Sequence, residues 1–228
     1  MRRIAVVLVA LGLMTVGAMA DQMYARGDFN GWDANTPMMD NGNGTFSAAI
    51  DISSQTPGTR YGFKVANAGW SIAYPGSDVL ATYPAGRPFS LTVFYEPAPT
   101  DLLEGWLPQT NRVGYTPGGN PWELVGDFTG WGTNPIWMAN LGNDFYRATA
   151  LIPTAATHDF KFRGSADWEI SIGSDFGRWA GNAQFASWGD NEWFRFELDL
   201  PHGRYRAYNI PEPASLLLAL LGLALRRR

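Results

Sequence analysis

Apolar and polar residues alternate along much of this chain, and the alternation has the period of a strand. Phe46, Ala48, Ile50 and Ile52 alternate with Ser47, Ala49 and Asp51, and Tyr61, Phe63 and Val65 alternate with Gly62, Lys64 and Ala66. Successive strand side chains point to opposite faces, so each run predicts a strand with one buried side. Phe89, Leu91, Val93 and Tyr95 predict another. Further on, His158, Phe160 and Phe162, then Phe194, Phe196, Leu198 and Leu200, repeat the pattern, the last run turning at Pro201-His202-Gly203 into Arg204 to Ile210. Asp40-Asn41-Gly42-Asn43-Gly44 supplies the left-handed positions of a tight turn. No helical period persists between Asp21 and Ile210. With 26 glycines and 15 prolines as punctuation, the predicted class is all-β, built as β-sandwiches.

The strands belong to a duplication. Gly27-Asp28-Phe29-Asn30-Gly31-Trp32-Asp33 returns as Gly126-Asp127-Phe128-Thr129-Gly130-Trp131-Gly132, an offset of 99 residues. The same offset matches Met39 with Met138, Phe46 with Phe145 and Ala49 with Ala148; Phe63-Lys64 matches Phe160-Lys161 at 97 and Trp70 matches Trp168 at 98. Small shifts belong in turns, and two copies are fewer than a solenoid needs, so two tandem modules are expected. The map is residues 1–20, 21–96 (first module), 97–120, 121–210 (second module) and 211–228. Residues 97–120 are bounded by Pro97-Ala98-Pro99 and Pro117-Gly118-Gly119-Asn120 and read as linker, but Leu102, Leu103, Trp106 and Leu107 are too apolar for a free tether and predict partial packing. The second copy carries an extra loop from Gly173 to Asn191 with Trp179 and Trp188, long enough to suggest function.

Both ends stand apart. Met1 to Ala20, with Arg2-Arg3, an apolar run and Ala18-Met19-Ala20, has the form of a cleavable signal peptide. Pro211-Glu212-Pro213 precedes an apolar stretch from Ala214 to Leu225 and then three arginines, the form of a short transmembrane helix with its charged end in the cytoplasm. That order resembles the PEP-CTERM sorting tail of bacterial envelope proteins. The resemblance implies an exosortase-type membrane peptidase as partner, transient attachment to the inner membrane, and a final place at the cell surface or outside it. A simple C-terminal anchor is the alternative. Five arginines and Glu212 lie in these ends, leaving 12 basic and 20 acidic residues between Asp21 and Ile210, a net charge near −8. That sign repels phosphate backbones, so no nucleic-acid partner is expected. Cysteine is absent, so each module relies on its core rather than on disulfides.

The chemistry lies in the ten tryptophans. A short loop is expected to pair Ala66 with Trp70, and a loop one residue longer to pair Arg163 with Trp168, placing each tryptophan on the outer face of Lys64 or Lys161. An indole beside an ammonium donor suits a sugar, whose C–H face stacks on the ring while its hydroxyls accept hydrogen bonds. Gly-Asp-Phe-Asn-Gly-Trp-Asp, the Gly-x-Phe at Gly44 to Phe46, Tyr-x-Phe-Lys at Tyr61 to Lys64 and the following Trp70 resemble the glycogen- and starch-binding modules of amylolytic enzymes and kinase β subunits. The likeness covers about Met23 to Tyr95 and, more loosely, Trp122 to Ile210, where Thr129 and Gly132 depart from the pattern. It implies an immunoglobulin-like sandwich in each copy and contacts to α-glucan from Trp32, Lys64 and Trp70, and from Trp131, Lys161 and Trp168. Trp32 and Trp131 are open to either reading, core or ligand contact.

Catalysis has little support. The histidines are His158 and His202, and there is no Gly-x-Ser-x-Gly elbow and no phosphate-cradling loop, so no catalytic residue, metal ligand or cofactor is assigned; calcium held by loop Asp and Asn stays open. Asp28 and Asp127 are expected to cap turns at strand ends. The reading is therefore a non-catalytic, exported envelope protein that binds polysaccharide, α-glucan-like or the cell's own exopolysaccharide. The alternatives are a structural surface or matrix protein without a sugar ligand, and an enzyme with a carboxylate pair across a cleft.

Overall fold

A computed structural model describes residues 21–84 and 90–212. The signal segment, Phe89, Pro213 and the C-terminal apolar run lie outside those residues. The first copy holds β1 (Met23–Gly27), β2 (Met39–Asp40), β3 (Phe46–Asp51), β4 (Arg60–Asn67), β5 (Ala73–Thr82), β6 (Ser90–Glu96) and β7 (Arg112–Thr116). The second holds β8 (Trp122–Gly126), β9 (Ile136–Trp137), β10 (Ala139–Asn140), β11 (Phe145–Ile152), β12 (Thr157–Gly164), β13 (Asp167–Ile172), β14 (Ala183–Ala186), β15 (Glu192–Asp199) and β16 (Arg204–Ile210). The protein is all-β: among the described residues the helical turns are 3₁₀ turns of three residues, and no helix is long and apolar enough to cross a membrane.

Four antiparallel sheets result. In the first copy β1-β4-β5 faces β2-β3-β6-β7, and in the second β9-β8-β12-β13, with β14 also on β12, faces β10-β11-β15-β16. Aromatic rings fill the space between: Phe63 meets Tyr115 at 5.4 Å, Phe160 meets Phe196 at 5.2 Å and Trp122 meets Tyr146 at 6.4 Å, ring centre to ring centre. The predicted inward residues of β3, β4, β6, β12 and β15 that are described are buried, from Ala48 and Ile50 to Phe196 and Leu198, except Phe46, which is half-buried. Gly42 and Gly44 take the left-handed turn positions read from the sequence.

The ungapped match beyond the first motif is corrected. Met38, not Met39, is the buried partner of Met138: Met38 N–H donates to the Met23 carbonyl and Met138 N–H to the Trp122 carbonyl, both at 2.8 Å, while Met39 is 72% exposed. Likewise Ala48 is buried like Ala148, and Phe46, opposite Asp40, corresponds to Tyr146, opposite Asn140. One extra residue between Trp131 and Met138 shifts the offset to 100. A one-residue slip exchanges the two faces of a strand, and burial decides which register is right.

Residues 97–120 are built into the fold. Leu103 is fully exposed, but Trp106 is 3% exposed, packed against the guanidinium groups of Arg204 at 4.3 Å and Arg206 at 4.2 Å. Leu107 bridges to Tyr205 of β16. The chain then returns as β7, which pairs with β6 as β16 pairs with β15. β7 is thus the first copy's counterpart of β16. The copies meet through equivalent edges, β5 beside β13 and β7 beside β16, which is the arrangement of a two-fold axis. Their buried apolar residues form one continuous cluster.

Candidate functional site

Each site begins at the repeated motif. Gly27 N–H donates to Asn30 Oδ1 at 3.0 Å, and Gly126 N–H donates to Thr129 Oγ1 at 2.8 Å, so the Asn-to-Thr departure keeps the acceptor that closes the turn. The next two residues are left-handed: Gly31 and Trp32 at φ 63° and 65°, Gly130 and Trp131 at 64° and 52°. Glycine adopts that backbone freely, whereas a bulky aromatic there is an outlier worth about 1–3 kcal/mol and calls for an explanation. The turn throws each indole back over the outer face of its sheet. The motif aspartates were expected to cap turns; instead both reach the neighbouring strand, where Asp28 accepts from Gly62 N–H at 2.6 Å as well as from Trp32 Nε1 at 2.9 Å, and Asp127 accepts from Asp159 N–H at 3.2 Å and bonds His158 Nδ1 at 2.9 Å.

The predicted hairpin pairings are corrected too. Ala66 pairs with Ala73, not Trp70, and Arg163 pairs with Ser171, not Trp168. Trp70 sits in the turn itself at φ 59°, and Trp168 at the start of β13 beside a bulge. Both nevertheless reach the motif tryptophans: Trp32 and Trp70 lie 6.2 Å apart and tilted by 36°, Trp131 and Trp168 6.5 Å apart and tilted by 45°. Trp70 and Trp168 are 42% and 43% exposed, while Trp32 and Trp131 are half-buried.

Under Trp70 and under Trp168 lies an arginine: Arg26 was missed in the sequence, and Arg163 was expected beside Trp168 but given no role. Arg26 of β1 stands 3.9 Å below the Trp70 ring, fixed by bonds to the Trp32 and Asn67 carbonyls at 2.7 and 3.0 Å. In the second copy the cation comes from the neighbouring strand: Arg163 of β12 stands 4.7 Å from the Trp168 ring, held by Glu123 at 2.7 Å. The first copy has Ala66 at the place of Arg163. The second motif's glycine follows from this choice, because a Cβ on Gly132 would lie 2.8 Å from Arg163 Nη1. The signal available in the sequence was the alternation of Tyr24 and Arg26 with Met23 and Ala25, which puts Arg26 on the outer face.

The two lysines share that face but are partly engaged. Lys64 Nζ donates to the Gly76 carbonyl at 2.6 Å with Asp78 at 3.6 Å; Lys161 Nζ donates to the Ala180 carbonyl at 2.7 Å. Each uses one of three N–H donors on a carbonyl, leaving others for a ligand. Burial holds the Lys161 pKa below its ordinary value, opposed more weakly by Asp175. A hollow of about 430 Å³ lined by Met23, Met38, Phe46 and Tyr74 contains none of these tryptophans.

His158 occupies the second copy's counterpart of Tyr61. Burial opposes a charged ring, but the Thr154 carbonyl at 3.0 Å and the Asp127 carboxylate accept from both nitrogens and raise its pKa overall. A raised folded-state pKa gives stability that is complete below the unfolded value of about 6.5 and lost as pH rises through the folded value. The melting-temperature advantage of the natural protein over His158→Gln is therefore expected to be largest near pH 5.5 and to shrink toward about pH 9. Melts that run parallel across that range would refute a charged His158.

No protein-family model matches this chain, and no curated protein matches it in sequence.

Proposed function

We propose that each copy is an immunoglobulin-like β-sandwich module of the glycogen- and starch-binding kind, and that the protein is a non-catalytic polysaccharide binder of the bacterial envelope, directed there by its sorting tail. One observation carries the reading: both copies raise an exposed indole on a guanidinium, tilted against a second indole, with the cation drawn from a different strand in each. Core packing has no need of this construction twice on an open face. An arginine on one side of the ring fixes its tilt and leaves the other side for the C–H face of a pyranose. Lys64 and Lys161 supply donors; Asp78 supplies an acceptor. The reading as a structural surface protein gains support from the carbonyl bonds of both lysines, which a purely architectural role also explains.

The test is binding of the purified protein to glycogen, amylopectin and the producing cell's exopolysaccharide by affinity electrophoresis. Trp70→Ala with Trp168→Ala is expected to lower affinity at least about tenfold, the loss of roughly 1.4 kcal/mol, with a melt showing that the protein remains folded. No retardation by any of the three polymers, or retardation indifferent to the double substitution, would leave the structural reading in its place.

A further inference from the structure

The second copy differs from the first at one place on this face. With β4 aligned on β12, Ala73 corresponds to Ser171 and Val79 to Ala183, so the offset grows from 98 to 104. The added residues form an excursion between β13 and β14, where β5 has only a bulge near Gly76. The lysine contact is kept across the change: Gly76 gives its carbonyl to Lys64, Ala180 gives its carbonyl to Lys161.

The excursion does more than replace the bulge, because it is docked on both copies. Arg178 N–H donates to the Asp78 carbonyl of β5 at 2.5 Å, and a Cβ on Gly177 would lie 2.8 Å from the Ser77 carbonyl. On the other side Arg178 forms an ion pair with Glu169 of β13. At its crest Trp179, left-handed at φ 62°, is 69% exposed and lies 4.0 Å above the Arg178 guanidinium. The construction is that of Trp70 on Arg26 and Trp168 on Arg163. Trp106 marks the contrast: with two arginines against its ring it is 3% exposed and has no face to offer.

Trp179 therefore stands on a loop that touches β5 of the first copy and, through Arg178 and Ala180, β13 and β12 of the second. Neighbouring contacts run from Lys64 through Asp78 and Arg178 to Glu169 and, through Ala180, to Lys161. The Asp78 and Glu169 side chains are 39% and 36% exposed and offer acceptors to sugar hydroxyls. We infer that Trp179 is a third sugar platform which joins the two faces into one extended site for a single neutral glycan chain. The inference rests on the polysaccharide reading above. It replaces two tethered modules with one rigid surface, in which affinity grows with chain length until the chain spans both copies.

Isothermal titration with maltotriose and with a linear maltodextrin of about ten glucose units or more tests this on the full chain. The natural protein is expected to bind the long chain one to one and at least about tenfold more tightly than the trisaccharide. Trp179→Ala is expected to remove most of that gain; Trp179→Phe is expected to keep it. Gly177→Val, which lifts the loop from Ser77 while keeping the Trp179 side chain, is expected to lose the gain as well, with a melt showing that the protein remains folded. Maltodextrin affinity within about twofold of natural in Trp179→Ala, or two chains bound per protein, overturns the joined site and leaves the modules as binders. No binding of either sugar by the natural protein removes the α-glucan reading and the joined site together.

Discussion

Arg112→Met is expected to lower the unfolding free energy by about 3–5 kcal/mol, the usual cost of removing one partner from a buried ion network. Arg112 is 1% exposed on β7. Its Nη1 bonds Asp101 at 2.6 Å and Glu96 at 3.3 Å, and its Nε donates to the Pro108 carbonyl at 2.8 Å. Asp101 in turn pairs with Arg204 of β16, so one carboxylate ties the last strand of the first copy to the last strand of the second. Methionine fills the volume but leaves Asp101 and Glu96 without their central cation. Arg112→Lys keeps the charge and loses the fork, so its cost should fall between the natural protein and Arg112→Met. Chemical denaturation at neutral pH reads both; a loss under about 1 kcal/mol for Arg112→Met would show that the network is not a stabilising tie.

The same network sets a pH dependence. Burial alone would raise the Asp101 pKa, but Arg112 and Arg204 outweigh it and hold it below the usual carboxylate value. A depressed folded-state pKa gives stability present above the unfolded value and lost as pH falls through the folded one. Arg112→Met removes part of that contribution, so its deficit relative to the natural protein should narrow in acid.

Strand alternation made the all-β class legible, because burial enforces period two wherever one face is covered, as in β3 and β4. The duplication was legible through Gly-Asp-Phe-x-Gly-Trp, whose left-handed glycine and aromatic are hard to reach by other means. Registers were less so. A hairpin loop can gain or lose a residue where nothing is buried, and the identities of Ala66 and Trp70 carry no record of whether Ala66 pairs with Trp70 or with Ala73. The shared role of the arginines beneath Trp70 and Trp168 was missed for a related reason: Arg26 and Arg163 occupy different positions in the two copies, so the repeat itself hides their common task. β7 was hidden by its surroundings, since Arg112-Val113-Gly114-Tyr115-Thr116 is short, holds one charge and one glycine, and lies between proline-rich stretches that read as tether.

Gly114, in that overlooked strand, gives the sharpest test of how the copies are joined, and Gly114→Ala is expected to cost about 3 kcal/mol or more, the upper range for forcing an atom into a packed interface. A Cβ there would lie 2.2 Å from the Pro201 carbonyl oxygen, 2.4 Å from that of Leu200 and 2.5 Å from the Gly203 nitrogen. All three are backbone atoms of the turn leading into β16, so no flexible side chain can yield. Gly203 faces it in the same way, its own Cβ position 2.5 Å from the Val113 carbonyl at a left-handed φ of 59°. Tyr115 N–H donates to the Leu200 carbonyl at 2.9 Å at this same contact. Gly69→Ala, with no heavy atom within 4 Å of its Cβ, is the matched control and should change stability by less than about 0.5 kcal/mol. Because the buried residues of the two copies form one cluster, the natural protein is expected to melt in a single transition that Gly114→Ala moves as a whole. A curve that divides into two steps, with the substitution moving only one, would mean that each copy holds its own fold and that the contact between β7 and the Pro201–Gly203 turn only docks them. In that case the distance between the two tryptophan faces would be free to vary, and a long glycan chain would have to order it on binding.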